Sequence, residues 1–277
     1  MSAQDPIEAH NRQAWNRLVD QQSWLTSAAA DERFADPLRS VDGLGWLGTS
    51  IAGQRVLCLA AGGGRQGPLY AAAGGQVTVL DISDGMLELD RQVAQQRRLS
   101  LRLVQGSMSD LSMFQPREFD LVIQPVSTCY VRDILGVFQQ VARVLRPQGL
   151  YISQHKSPVS LQAALTWNAQ AIGDHAERPG GYLIQQDYYS RHSIPPVARP
   201  THLREPGTQE FIHRWEEILG GMCRAGMVIE DLVEPFHADL AAEPSSLAHR
   251  CAYIAPYVRI KARRVGHAES LFLVDHG

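Results

Sequence analysis

What most constrains the fold of this chain is a rhythm between Arg55 and His155, where short apolar runs alternate with stretches of helical periodicity. RVLCLAA is a short apolar run that ends in glycines, the pattern of a parallel strand buried on both faces. GPLYAAAGG reads as a helix closed by glycine. QVTVLDIS is a second strand, and the helix from Asp84 to Gln96 carries Met86, Leu89 and Val93 on one face. LRLVQGSM and FDLVIQPVS are the third and fourth strands. ILGVFQQVARVL is an amphipathic helix, halted by the Pro147-Gln148-Gly149 turn before GLYISQH, the fifth strand. This alternation predicts an α/β fold, a doubly wound parallel sheet with helices on both faces.

The flanks of this core, residues 55–155, divide the rest of the chain. Residues 1–54 are expected to form a helical cap, since Glu8 to Leu25 puts Trp15, Leu18 and Val19 on one helical face. Residues 156–213 form a connection rich in proline, tyrosine and histidine, with Trp167, Tyr182, Tyr188, Tyr189 and His192 ahead of the breaker run SIPPVARP. A connection this long inside a compact domain predicts a lid or a binding insertion. Residues 214–264 supply the helix WEEILGGMCRAG and the strands MVIEDLVEP and CAYIAPYVRIKA, which complete the sheet. Residues 265–277 read as a tail.

Composition narrows the function classes. With 277 residues, 44% of them hydrophobic, the chain can bury a substantial core. A formal net charge of −3 argues against a nucleic-acid partner. The strip Arg259, Lys261, Arg263 and Arg264 reads as the solvent side of a strand. No apolar run is long enough to span a bilayer, and MSAQDPIEAHNRQAW lacks the pattern of a signal peptide. The expectation is a cytoplasmic protein without membrane contact. Cys58, Cys129, Cys223 and Cys251 are scattered without a CxxC pair, and no histidine or acidic cluster has metal-ligand spacing. Reduced thiols and no metal are expected.

Chemistry concentrates in VLCLAAGGGRQG. A strand ending in glycines lets backbone approach a ligand where a Cβ would clash, and the helix start behind it offers free N–H groups. Gly62, Gly64 and Gly67 satisfy GxGxxG, a signal that dinucleotide enzymes share. Asp81 ends the second strand roughly 20 residues on, where a carboxylate accepts hydrogen bonds from ribose hydroxyls. Glycines and Asp81 together predict an adenosine-cofactor site. Asp110, in GSMSDL, falls where an adenine amino group would lie, although a helix N-cap is the plainer reading of that residue alone. Ile82 and Met108 would supply apolar surface to the two faces of the ring.

The order VLCLAAGGGRQG, VTVLDIS, GSMSDL, FDLVIQPVS and RVLRPQGLYIS resembles the class I S-adenosylmethionine-dependent methyltransferases over Arg55 to Ser153. Within them, NRQAWNRLV and LAAGGGRQGPLYAAAG resemble a group of uncharacterised bacterial small-molecule enzymes. The resemblance implies a Rossmann-like, mostly parallel sheet of seven strands with the last antiparallel. It sets Gly62 and Gly64 against the methionine part of S-adenosylmethionine, Asp81 on the ribose and Asp110 on the adenine. Ala60, Met86 and Trp15 complete the implied cofactor-binding set, Trp15 from a helix that closes over the cofactor. The chain departs from the pattern at Cys58, where the family has an acidic residue, and at Ala60, where it has a glycine.

Methyl transfer from a sulfonium is an in-line displacement, so the acceptor must be held close to the methyl carbon and lose its proton. His155, ending the fifth strand, is the leading candidate base. Tyr130 would shape the acceptor pocket, and His213 opens the helix that could point to the same rim. The expected partner is a small molecule. A protein or RNA acceptor, a nicotinamide-dependent oxidoreductase and a non-catalytic binding module are the alternatives.

Overall fold

The computed structural model describes residues 5–166, 181–184, 187–189, 193–198, 203–239, 241–243 and 246–266. Strand β1 (Arg55–Leu59) is exposed only at its first residue, because both its faces are covered by helices. It pairs in parallel with β2 (Gln76–Asp81) on one side and with β4 (Phe119–Gln124) on the other, and β3 (Leu101–Gln105) continues outward from β2. Strand β5 (Leu145–Lys156) runs parallel to β4. The short pairs β6 (Ala163–Thr166) with β7 (Gly181–Ile184), and β8 (Ser193–Ile194) with β9 (Glu210–Phe211), stand outside the main sheet. Strands β10 (Met227–Val233) and β11 (Tyr257–Arg264) close it, giving seven strands in the order β10-β11-β5-β4-β1-β2-β3. β11 is antiparallel to both its neighbours. The seven-stranded, mostly parallel sheet with an antiparallel last strand is therefore present.

The helices follow from their apolar periodicity and caps. Helix α1 (Pro6–Asp20) starts at proline with Asp5 as N-cap, and buries Asn11, Ala14 and Leu18. The short α2 (Pro37–Val41) precedes β1, α3 (Gln66–Ala72) joins β1 to β2, and α4 (Asp84–Arg97) joins β2 to β3. Helix α5 (Ile134–Val144) buries Ile134, Val137, Phe138, Val141 and Val144 against the sheet, at three- and four-residue spacing. Short helices α6 (Pro158–Gln162), α7 (Gly221–Arg224) and α8 (Leu247–Cys251) follow.

Several boundaries differ from the sequence reading. Helix α1 stops at Asp20, five residues before Leu25, and Gln22 takes a positive φ of 51° to turn the chain. Leu145 already pairs with Phe119, so the Pro147-Gln148-Gly149 turn loops out within β5 before pairing resumes at Leu150. WEEILGGMCRAG is π-helical over Glu216–Gly220 before α7, which lets Gly221 pack closely on the Phe138 ring. The basic strip lies as expected, with Val258, Ile260 and Ala262 inward and Arg259 exposed between them. Trp167, His192 and most of the tail lie outside the described residues.

Candidate active site

The C-terminal ends of β1 and β2 carry the glycine loop and Asp81. Ala60 takes a φ of 48°, a left-handed conformation that glycine would adopt without steric cost. Its N–H donates to Leu80 O at 2.8 Å, so pairing with β2 holds the strained residue in place. Beyond it, Gly62 N–H donates to Asp81 Oδ2 at 2.9 Å, and Gly63 N–H lies 2.9 Å from Asp90 Oδ2 and 3.0 Å from Met86 O. Carboxylates from β2 and α4 thus occupy the loop donors of Gly62 and Gly63, ahead of the start of α3 at Gln66. Gly62 is required by the protein's own packing, since a Cβ there would lie 2.8 Å from Met86 Cβ and 3.0 Å from Asp81 Oδ2.

A cavity of about 310 Å³ opens on this loop. Of the residues read from the sequence, Ala60, Gly62, Asp81, Ile82, Met86, Met108, Trp15 and Tyr130 line it. Asp81 is 8% exposed. Burial pushes its carboxyl above the usual range, and the N–H groups of Ser83 and Gly62 partly oppose that. Each carboxylate oxygen accepts one backbone N–H, from Gly62 or from Ser83, which leaves each a lone pair for a further donor. Leu25, Arg65 and Gln66 border the loop end. Ser127, Gln154 and Glu205 gather with Tyr130 on the far side.

Gly64, Asp110, His155 and His213 do not line this cavity. Met108 turns inward after β3 while Asp110 turns outward, where its Oδ1 accepts Ser112 N–H at 2.9 Å. That hydrogen bond holds its carboxyl below the usual range. Asp110 is a turn cap in this fold, and no helix follows it. His155 is 1% exposed, with Nδ1 and Nε2 each 2.8 Å from a hydroxyl, of Thr128 and Ser153 respectively. Burial and neighbouring His213 lower its pKa to about 3. It packs edge-on to Phe138 of α5, while Gln154, the preceding residue on the alternating strand, borders the cavity. His213 Nε2 lies 3.0 Å from both Thr128 O and Val131 O and ties α7's leading segment to the loop after β4. Burial lowers its pKa as well. Both ring nitrogens of His155 are engaged, and neither histidine lines the cavity.

The far side of the cavity holds a cluster that no sequence signal marks. Tyr130 donates its hydroxyl to Glu205 Oε2 at 2.7 Å, and its ring meets Trp15 edge-on with centroids 6.0 Å apart. Lys156, with its side chain 1% exposed, lies 2.6 Å from the same Glu205 oxygen and 3.0 Å from Glu210 Oε2. Burial alone would lower the Lys156 pKa, but Cys129, Glu205 and Glu210 outweigh it and keep the ammonium charged. Burial, then Glu205, raises the Tyr130 phenol and keeps it a donor. Glu205 stands 75 residues from Tyr130, in a polar loop without periodicity, so nothing local in the sequence links the two.

Comparison with known proteins identifies the family and the fold. The profile of a family described as methyltransferase domain matches residues 57–153. An uncharacterised methyltransferase of Bacillus subtilis (strain 168), YbaJ, is 32% identical over 247 residues, covering 82% of this chain and 90% of the relative. Among solved structures, an S-adenosylmethionine-dependent methyltransferase from Mesorhizobium loti superposes with a TM-score of 0.63 at 19% identity, covering 83% of this chain and 100% of the other. Geranyl diphosphate C-methyltransferase from Streptomyces coelicolor A3(2) gives 0.60 at 18% identity, covering 95% and 100%. At such identities the two structures share this chain's fold.

Proposed function

The chain belongs to the methyltransferase family, and we propose that it moves a methyl group from S-adenosylmethionine to a small-molecule acceptor. The observation that carries this reading is the cavity, about 310 Å³, which joins the glycine loop and Asp81 at one end to Tyr130 and Glu205 at the other. Its residues fit an adenosine. The remaining lone pairs of the Asp81 carboxylate suit ribose hydroxyls. Ile82, Met86 and Met108 offer apolar walls to adenine, and Asp110 lies outside the cavity lining. Arg65, whose guanidinium already donates to Ser27 O and Trp24 O beside the loop, is the cation available to the methionine carboxylate.

When bound, S-adenosylmethionine supplies an electrophilic methyl carbon on a cationic sulfur. The protein's part is to exclude water, to hold the acceptor in line and to take its proton. Glu205 replaces His155 as the residue proposed for the last task. Its Oε2 is engaged by Tyr130 and Lys156, while no hydrogen bond engages Oε1 among the described residues. An acceptor O–H or N–H donating to Oε1 would be held with its lone pair directed toward the methyl-donor end of the cavity. The proton passes to Glu205 and on to solvent. A half-open cavity of about 310 Å³ suits a small acceptor, and in the Streptomyces neighbour the ligand beside S-adenosyl-L-homocysteine is also small, geranyl diphosphate.

Calorimetry with S-adenosylhomocysteine, followed by incubation with methyl-labelled cofactor and a metabolite extract, tests the proposal. Binding of the cofactor product and a labelled small product are expected. Binding of a nicotinamide dinucleotide without S-adenosylhomocysteine would overturn it.

A further inference from the structure

A second cavity, of about 240 Å³, adjoins the first, and Gln66, Pro125 and Gln154 border both. Its wall brings together three arginines from distant parts of the chain, Arg33, Arg39 and Arg259. Among the described residues, none of the three forms an ion pair. Arg33 donates to Ser40 O at 2.5 Å, Arg259 donates to Gln154 Oε1 at 3.0 Å, and the Arg39 side chain makes no hydrogen bond. One carboxylate, Asp42, also lines the wall, its two oxygens accepting Trp46 N–H at 2.8 Å and Leu47 N–H at 2.7 Å, so three cations face a single anion. Tyr70 also lines the cavity. Its ring is buried, while its hydroxyl oxygen is accessible and makes no hydrogen bond among the described residues.

Three guanidinium groups around one half-enclosed space make a positive site that an anion would complement. Arginine's planar fork suits a carboxylate or a phosphate, and the accessible Tyr70 hydroxyl adds a neutral donor. Cofactor chemistry does not account for this set, because the arginines lie beyond the wall that faces Asp81 and the glycine loop. We propose that the second cavity holds the anionic group, carboxylate or phosphate, of the methyl acceptor. The body of the acceptor then passes Gln66, Pro125 and Gln154 toward the methyl-transfer cavity. This rests on the methyl-transfer reading and adds the substrate class to it: an acidic small molecule whose nucleophilic atom is remote from its charge.

Calorimetry in a phosphate-free buffer provides the test, with benzoate, benzamide and inorganic phosphate each titrated into protein saturated with S-adenosylhomocysteine. Benzoate or phosphate is expected to bind, and uncharged benzamide is not. The preferred anion distinguishes a carboxylate from a phosphate site. In Arg39→Gln/Arg259→Gln, anion affinity should fall about tenfold, equivalent to about 1.4 kcal/mol, while S-adenosylhomocysteine affinity stays within about twofold. Neither arginine borders the cofactor cavity, so unchanged cofactor affinity also reports a folded variant. Equal anion affinity in both proteins, or no anion binding by the native protein, overturns the proposal. If S-adenosylhomocysteine itself fails to bind, the methyl-transfer reading falls first; if it binds and the anions do not, this inference falls alone.

Discussion

Two carboxylates under the glycine loop do different work. Asp81 borders the cavity, whereas Asp90 of α4 is fully buried behind the loop, with Oδ2 on Gly63 N–H and Oδ1 without a partner. Burial raises the Asp90 pKa to about 7, against the opposing pull of the Gly64 and Gly63 N–H groups. Its unfolded value lies near 3.9, so between about pH 4 and pH 7 the folded state holds a proton that the unfolded chain has released. Stability therefore falls as pH rises through that window. Asp90→Asn keeps an acceptor for Gly63 and removes the charge. Urea denaturation should find it more stable than the parent at pH 8, by up to about 4 kcal/mol, and no more stable at pH 4. A gain of equal size at both pH values would contradict the ionisation argument. Glu205 is the other residue whose charge matters. Glu205→Gln should cut turnover at least about a hundredfold, the usual range for a lost proton acceptor, with S-adenosylhomocysteine affinity little changed. Loss of both together would point to structural damage instead.

At the scale of elements, helix α1 is held over the site by several side chains, among them His10, Asn16 and the buried Asn11. Asn11 is 1% exposed, and its Oδ1 accepts Gln209 N–H at 2.8 Å while its Nδ2 donates to Gln209 O at 3.0 Å. Through it, α1 is fastened to the segment that carries Glu205, and Trp15 one turn later reaches Tyr130 across the cavity. Asn11→Ala leaves a buried amide and a carbonyl of Gln209 unpaired, a cost of about 1–3 kcal/mol for each unsatisfied group. Thermal denaturation should record the loss of stability. The fluorescence of Trp15, read against a Trp15→Phe control, should report a loosened α1. The elements of the core were legible in the sequence, since β1, β2, α4 and α5 follow from apolar period and caps. Boundaries set by tertiary packing were not. The loop within β5 and the π-helical turn beside Gly221 each depend on a partner distant in sequence, and α1 ends at the left-handed Gln22, which no glycine marks.

For the whole molecule, cofactor binding should appear as stability, because a ligand that binds only the folded state shifts the folding equilibrium. S-adenosylhomocysteine at a hundred times its dissociation constant should add about 2.7 kcal/mol. For a chain of this size that raises the melting temperature by roughly 5–10 °C. Asp81→Ala should abolish most of that shift at the same ligand concentration, and a full shift in the variant would remove Asp81 from the ribose site. By itself, the alternation of apolar runs and helices from Arg55 to His155 determined the parallel sheet, and the glycines with Asp81 located the cofactor end of the site. Local periodicity and spacing suffice for both, because each strand and the loop after it are continuous in the chain. Only the tertiary structure decided the acceptor end. It sealed His155 and His213 into hydroxyl and carbonyl contacts, turned Asp110 outward, and brought Glu205 and Lys156 to Tyr130 and three arginines to a second cavity. Most of those contacts join residues tens of positions apart or more, and no pattern along the chain encodes which distant side chains the packed sheet will set face to face.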